Sequence, residues 1–348
     1  MGYQRLNRDW SGCDWMAPLR QTGAAFPLGA KERELASRET KRYRTLRSFL
    51  EERFSFPVWP IFVDSGASPL TRYGLSQAGG CLYCYSQGPP TSLQDPPVPV
   101  ADQVSLGLER LRRRHPSACA IASFRPSSNA HAPIDVLQRR YGEALEVDGV
   151  VGIAVGVRSE DLTEEDLRLL EGIAKTHEVW LEMGPQTVHD EQRALVDGSE
   201  ISAPWVEAVE IAAGRGIHQV IHLILGLPGE ERAVTLETVN TVAALPVDGV
   251  KVHHLMVCEE TDLAHLWRRR HFTLISAEAY IDLAVAVLEH LPPEAVIHQL
   301  VAGSNPGERL LAPRWRQSPE EMLVTIDAEL ARRDTRQGAR LTRRKESS

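Results

Sequence analysis

The sequence predicts a partial barrel of parallel β-strands, each followed by a helix, with a smaller α/β segment after it. Three observations lead there. Short, nearly continuous apolar runs rich in β-branched residues recur from residue 57 onward. Amphipathic helical patterns separate them, which implies strands buried on both faces between layers of helix. The 348 residues are 43% hydrophobic and 25% charged, an ordinary globular composition long enough to bury a sizeable core without disulfides.

Residues 1–40 mix Trp10, Trp15, Pro18 and Pro27 with scattered charge, show no period, and are expected to be an irregular arm. Residues 41–54 place apolar or aromatic groups at 43, 46, 49, 50 and 54, one face of a helix. Strands are predicted at 58–63, 119–124, 151–157, 179–183, 219–226 and 249–257, with helices at 101–114, 133–146, 164–176, 202–214 and 231–245. Thr163 ahead of Glu164-Glu165-Asp166 offers a hydroxyl cap and acidic groups to the positive end of a helix. Ser318-Pro319-Glu320-Glu321 spells a capping box and starts a terminal helix at 319–333. A helix over 276–291 and a strand over 295–301 complete the reading. Six βα units in a row suggest an open or partial barrel; a doubly wound sheet would need a reversal of strand order. The domain boundaries expected are 41–275 for the barrel, 276–338 for the extension and 339–348 for a basic tail.

The formal charge is −8, with +4 in residues 1–54 and +5 in 331–348, leaving −17 for the body. An acidic body argues against broad nucleic-acid contact, which needs a positive face; the basic ends are the only regions suited to it. Five cysteines, an odd number, favour a reducing compartment and thiol or metal chemistry over disulfides. The polar start lacks a secretory apolar core, and no run of 18 apolar residues is present. A cytoplasmic protein is expected.

Reactive groups of a parallel barrel gather at the carboxyl ends of its strands. The first strand is followed by a long loop, residues 64–88, and long loops in compact domains are usually functional. It carries Cys81-Leu82-Tyr83-Cys84 behind Gly79-Gly80. Two thiols three positions apart can share a metal, a cluster or a disulfide, and the glycines let backbone N–H groups face the sulfur charge. Glu182 and Gln186 stand at the end of the fourth strand. Lys251 and His253 alternate on one face of the sixth strand, with His222 on the fifth; pointing inward they line a pocket floor, and otherwise they are satisfied core residues. Gly226-Leu227-Pro228-Gly229-Glu230 reads as a strand-to-helix turn.

The loop resembles that of the YhcC-type radical SAM proteins, with VW-I-VD before it and GGCxYC at its end. The likeness continues through HAPIDVL (131–137), VWLEMGPQTVHD (179–190), HLILGLPGE (222–230), DGVKVHHL (248–255), LPPEAVIHQL (291–300) and LLAPRW (310–315). The resemblance implies a partial (βα)6 barrel with a C-terminal α/β extension. It further implies a [4Fe-4S] cluster held by three cysteines, S-adenosylmethionine on its fourth iron, an electron donor, and a 5′-deoxyadenosyl radical. Cys81 and Cys84 match the second and third ligands, and Tyr83 the aromatic residue near the adenine. Glu182 and Gln186 match residues that contact S-adenosylmethionine or the substrate, and Gly226 and Pro228 lie on the adenine side. At the first ligand this chain has Ser68-Pro69-Leu70-Thr71-Arg72-Tyr73-Gly74 where the family has Cys-Pro-Asn-Arg-Asp-Gly, so Ser68 takes the cysteine's place. A hydroxyl is a poorer iron ligand than a thiolate. Cys13, Cys119 and Cys258 are the other thiols; Cys258 ends the sixth predicted strand and Cys119 starts the second. Further departures at 123–132, 157–160, 183–187, 197–199 and Gln299 gather on the cofactor side, whereas the strand cores match. Three readings follow: a cluster-bearing radical SAM protein with Cys81, Cys84 and Ser68 as metal ligands, a clusterless member acting as a binding or regulatory protein, and a thiol redox protein using Cys81 and Cys84.

Overall fold

The computed structural model describes residues 41–65, 98–124, 132–197, 205–259, 261–269, 272–303 and 309–341, all within the unit Lys41–Ser348. Seven parallel strands form a curled half-barrel: β1 (Val58–Val63), β2 (Cys119–Phe124), β3 (Val150–Val157), β4 (Glu178–Gln186), β5 (His218–Leu225), β6 (Gly249–His254) and, after the short β7 (Val257–Cys258), β8 (Val296–Gln299). Their spatial order is β1-β2-β3-β4-β5-β6-β8. It contains no reversal, so the sheet is of barrel type and not doubly wound.

The helices that return the chain are α1 (Leu46–Arg53), α2 (Val100–Arg112), α3 (Ile134–Leu145), α4 (Glu164–Ala174), α5 (Asp190–Asp197), α6 (Trp205–Ala212) and α7 (Arg232–Ala243). Strand alternation divides the side chains. Val179, Leu181 and Met183 of β4, Ile221, Leu223 and Leu225 of β5, and Val250 and Val252 of β6 share one core cluster with Val209 of α6 and Val239 of α7. The residues between them therefore face the barrel interior. Both predicted caps form. Thr163 Oγ1 accepts from the Asp166 amide at 3.2 Å while Asp166 accepts from the Thr163 amide at 3.0 Å. Ser318 and Glu321 make the same reciprocal pair ahead of α10 (Pro319–Arg332).

Three boundaries differ from the sequence reading. The first helix begins at Leu46, because Thr45 pairs with Ile297 and caps the helix instead. The fourth strand continues past Gly184-Pro185: a bulge lets Gln186 pair with Leu223. The sixth strand stops at His254. Cys258 thus does not end a barrel strand; it lies in β7, which pairs antiparallel with β9 (Leu310–Ala312). The helix α8 (Asp262–Arg268), capped by Thr261, follows. A second apolar cluster of Ile224, Leu227, Leu255, Val257, Leu263, Ala264 and Ala312 seats this ribbon over the carboxyl ends of β5 and β6. Among the described residues no helix is long and apolar enough to cross a membrane.

The extension, α9 (Ala277–His290), β8, β9 and α10, covers the β6 edge. Gln337 clips it together: its backbone N–H donates to Arg42, its side-chain oxygen accepts from the Arg44 amide at 2.9 Å, and its amide nitrogen donates to Pro292 and Ala295 carbonyls. Buried and fully partnered, this amide leaves several polar groups unsatisfied when removed. Gln337→Ala is expected to lower unfolding free energy by about 2–3 kcal/mol, read as a lower urea midpoint.

The amino end of the barrel is plugged by rings. Trp180 stacks on His218 at 4.5 Å and meets His298 and Phe49 of α1 edge-on at 4.6 and 5.4 Å. His218 lies 3.6 Å from Glu178 and 3.4 Å from Asp248, and Arg53 also pairs with Glu178. Burial alone pulls the His218 pKa down, but hydrogen bonds and charge from Asp248 and Glu178 outweigh it and raise the pKa to about 9. A folded pKa above the unfolded value stabilises most below the unfolded pKa and loses that contribution as pH rises through about 9. The stability gap between wild type and His218→Gln should shrink by about 1–2 kcal/mol, discounted for partial exposure, as pH rises from 6 to 10; unfolding curves across that range measure it.

Candidate functional site

Three interior positions on adjacent strands converge on one atom. His222 Nε2 lies 3.0 Å from Glu182 Oε2, and Lys251 Nζ donates to the same oxygen at 3.3 Å. Register brings them there: His222 is the cross-strand partner of Lys251, and Val220, two residues earlier, is the partner of Glu182. Glu182 and Lys251 are about 95% buried. A carboxylate and an ammonium so far from water persist because each neutralises the other. His253 follows Lys251 on the same face, its ring centroid 5.4 Å from that of His222, and Gln299 of β8 is the register partner of Lys251. This layer lies on the interior face of the half-barrel, one step further toward the carboxyl ends than the Trp180–His218–His298 ring cluster.

Glu182 and Gln186, both expected at the site, are buried on β4. Gln186 has φ 64°, a left-handed conformation rare outside glycine. Its amide donates to the Gly184 carbonyl at 3.0 Å. A Cβ on Gly184 would lie 2.5 Å from that amide nitrogen, so the glycine makes room for the turned-back side chain. Bulges re-aim side chains, and strained residues gather at functional sites. Gly226, expected on the adenine side with Pro228, ends β5 at φ 77°, and a Cβ there would meet Ile275 at 2.7 Å. Gly226→Ala combines the positive-φ penalty with this clash and is expected to cost about 2–4 kcal/mol, again read from the urea midpoint. Glu230 closes the turn and is not free to serve a ligand. It accepts from Thr187 and Thr235 hydroxyls at 3.1 Å each, Thr187 also pairs with Thr238, and burial raises the Glu230 pKa. His189 contacts the Val234 carbonyl at 3.2 Å and Asp190 pairs with the buried Arg193 at 2.6 Å, so these two matched residues brace helices.

Ser68, Cys81, Tyr83 and Cys84 lie outside the described residues, as does Cys13. The roots of their loop are described. Gln103 of α2 accepts from the Asp64 amide at 2.9 Å and donates to the carbonyls of Asp64 and Val98 at 2.9 and 2.8 Å. One side chain thus fastens the segment after β1 to the segment before α2, at the carboxyl end of the sheet. A glutamine on an amphipathic helix gives no sequence signal for this. Cys119 is at the other end of β2, buried, its thiol pushed up to about 11 by burial. It sits five residues, or about 16 Å, from the carboxyl end, and cannot serve as a third ligand there.

Comparison with known proteins agrees with this architecture. Residues 78–242 match the Radical SAM superfamily and residues 247–332 the Radical_SAM C-terminal domain. The chain is 30% identical to the uncharacterized protein YtqA of Bacillus subtilis over 90% of its own length and 97% of that protein's. It is 30% identical to the protein YhcC of Escherichia coli K12 over 80% and 89%. Among solved structures, archaeal Elp3 of Methanocaldococcus infernus superposes with a TM-score of 0.61 at 15% identity, covering 81% of this chain and 64% of that one. The two family models and the 30% identity to YtqA across nearly the whole of both chains place the chain in the radical SAM superfamily, to which it belongs as a relative of the YtqA and YhcC proteins.

Proposed function

We propose that this protein is an iron–sulfur enzyme that binds a [4Fe-4S] cluster and S-adenosylmethionine over the carboxyl ends of its strands. Cys81 and Cys84 would supply the thiolates and Ser68 would take the first family position, with Tyr83, Glu182, Gln186, Gly226 and Pro228 toward S-adenosylmethionine. The donor set fits such a group in kind: two closely spaced thiols, glycines beside them, and a loop whose roots Gln103 holds at the open end of the barrel. When bound, the pair supplies one-electron cleavage chemistry fed by an electron donor. The chain's own residues would shape the site below: Glu182, His222 and Lys251 present charge and hydrogen bonds, and the ring cluster packs beneath them. The observation that carries the reading is the buried ionic layer on the interior face of a radical SAM half-barrel. Anaerobic incubation of the reconstituted protein with S-adenosylmethionine and dithionite should release methionine and 5′-deoxyadenosine. An iron-loaded, folded protein that releases neither would overturn it.

A further inference from the structure

His222 forms the open side of the buried ionic layer. Its side chain is 18% exposed, against 5% for Glu182 and 6% for Lys251. Glu182 Oε2 already accepts from Lys251 and faces His222 Nε2 at 3.0 Å. A carboxylate only accepts, so the hydrogen-bond network assigns the ring proton to Nε2 and leaves the lone pair on Nδ1. That nitrogen has no hydrogen-bond partner among the described residues. The groups facing the ring are Glu182 on β4 and Lys251 and His253 on β6. The two structural histidines look different. His218 is bracketed by two carboxylates, and His254 is packed against Trp315 at 4.3 Å with its pKa lowered to about 4 by burial.

We propose that His222 is the proton acceptor of the barrel, taking through Nδ1 the proton of a hydroxyl or amino group on the substrate bound above it. The inference rests on the proposed function, which puts the reacting substrate over this layer. In the step, the substrate O–H or N–H bond breaks and an N–H bond forms on Nδ1. The electron pair stays on the substrate heteroatom, and no electron is transferred. Glu182 offsets the imidazolium charge, Lys251 holds the carboxylate in place from its other side, and the partly exposed edge of the ring passes the proton on. The substrate class is accordingly a molecule bearing an alcohol or amine beside the reacting carbon.

The test uses the full chain labelled with ¹⁵N-histidine, together with site-resolved modification by diethyl pyrocarbonate. His222 should show the Nε2-protonated tautomer and be carbethoxylated on Nδ1. Glu182→Gln should slow that modification about tenfold, because the amide can turn its NH2 toward Nε2 and so move the ring proton onto Nδ1, while the half-buried His177 reacts as before. Glu182→Asp gives the same readout should the glutamine variant not fold. In the reconstituted protein, S-adenosylmethionine should protect His222. A proton on Nδ1, or a rate indifferent to Glu182 in a folded variant, would overturn the assignment of the base, as would the absence of protection in a protein carrying its iron. These measurements on His222 need no cluster, so failure to load iron would count against the proposed function and not against the base.

Discussion

Cys81→Ala and Cys84→Ala are each expected to abolish cluster binding, from about four irons per chain to none. Each substitution removes one of only two thiolates that the 64–88 loop offers, and an alcohol at Ser68 cannot hold the cluster with a single sulfur beside it. Cys119→Ala supplies the contrast. Its thiol is buried at the amino end of β2 with its pKa raised to about 11, so iron content should match wild type. Iron and acid-labile sulfide, measured on folded protein after anaerobic reconstitution, check both arms. Equal iron in wild type and Cys81→Ala would place the cluster elsewhere.

Glu182→Ala should destabilise the protein by about 3–5 kcal/mol, the usual cost of leaving a buried charge without its partner. Lys251 would keep its ammonium almost fully buried with no carboxylate 3.3 Å away, and His222 would lose its only described hydrogen bond. The double replacement Glu182→Leu with Lys251→Met should recover most of that loss, because apolar groups of similar volume remove both desolvation penalties at once. The urea midpoints of Glu182→Leu, Lys251→Met and the double form a cycle whose coupling energy reports the pair directly. Additive losses in that cycle would show that the two side chains do not neutralise each other.

The strands were legible because each is an apolar run too continuous to face water on either side, as in CAIASF of β2 and HLIL of β5. The caps at Thr163 and Ser318 were legible because a hydroxyl three residues before an acid has one local use. The end of β6 was not. GVKVHHLMVC reads as one run, yet the chain leaves the parallel sheet after His254 to pair with residues about fifty positions later, and pairing at that range has no local pattern. The ionic layer was half legible. Parity puts Lys251 and His253 on one face, but each polar residue stands alone in an apolar strand. Only the register of three strands, bringing together residues 40 and 69 positions apart, joins them to Glu182. Gln103 was illegible for the same reason: its partners are the two ends of a loop more than thirty residues long.

The most direct measurement is the iron and sulfide content of the full chain after anaerobic reconstitution, set beside Ser68→Cys. About four irons per wild-type chain are expected, lost to a chelator faster than from Ser68→Cys, where a thiolate replaces the hydroxyl at the first position. A well-folded chain that takes up no iron, with or without the added cysteine, would contradict the radical SAM assignment of its chemistry and leave only the barrel.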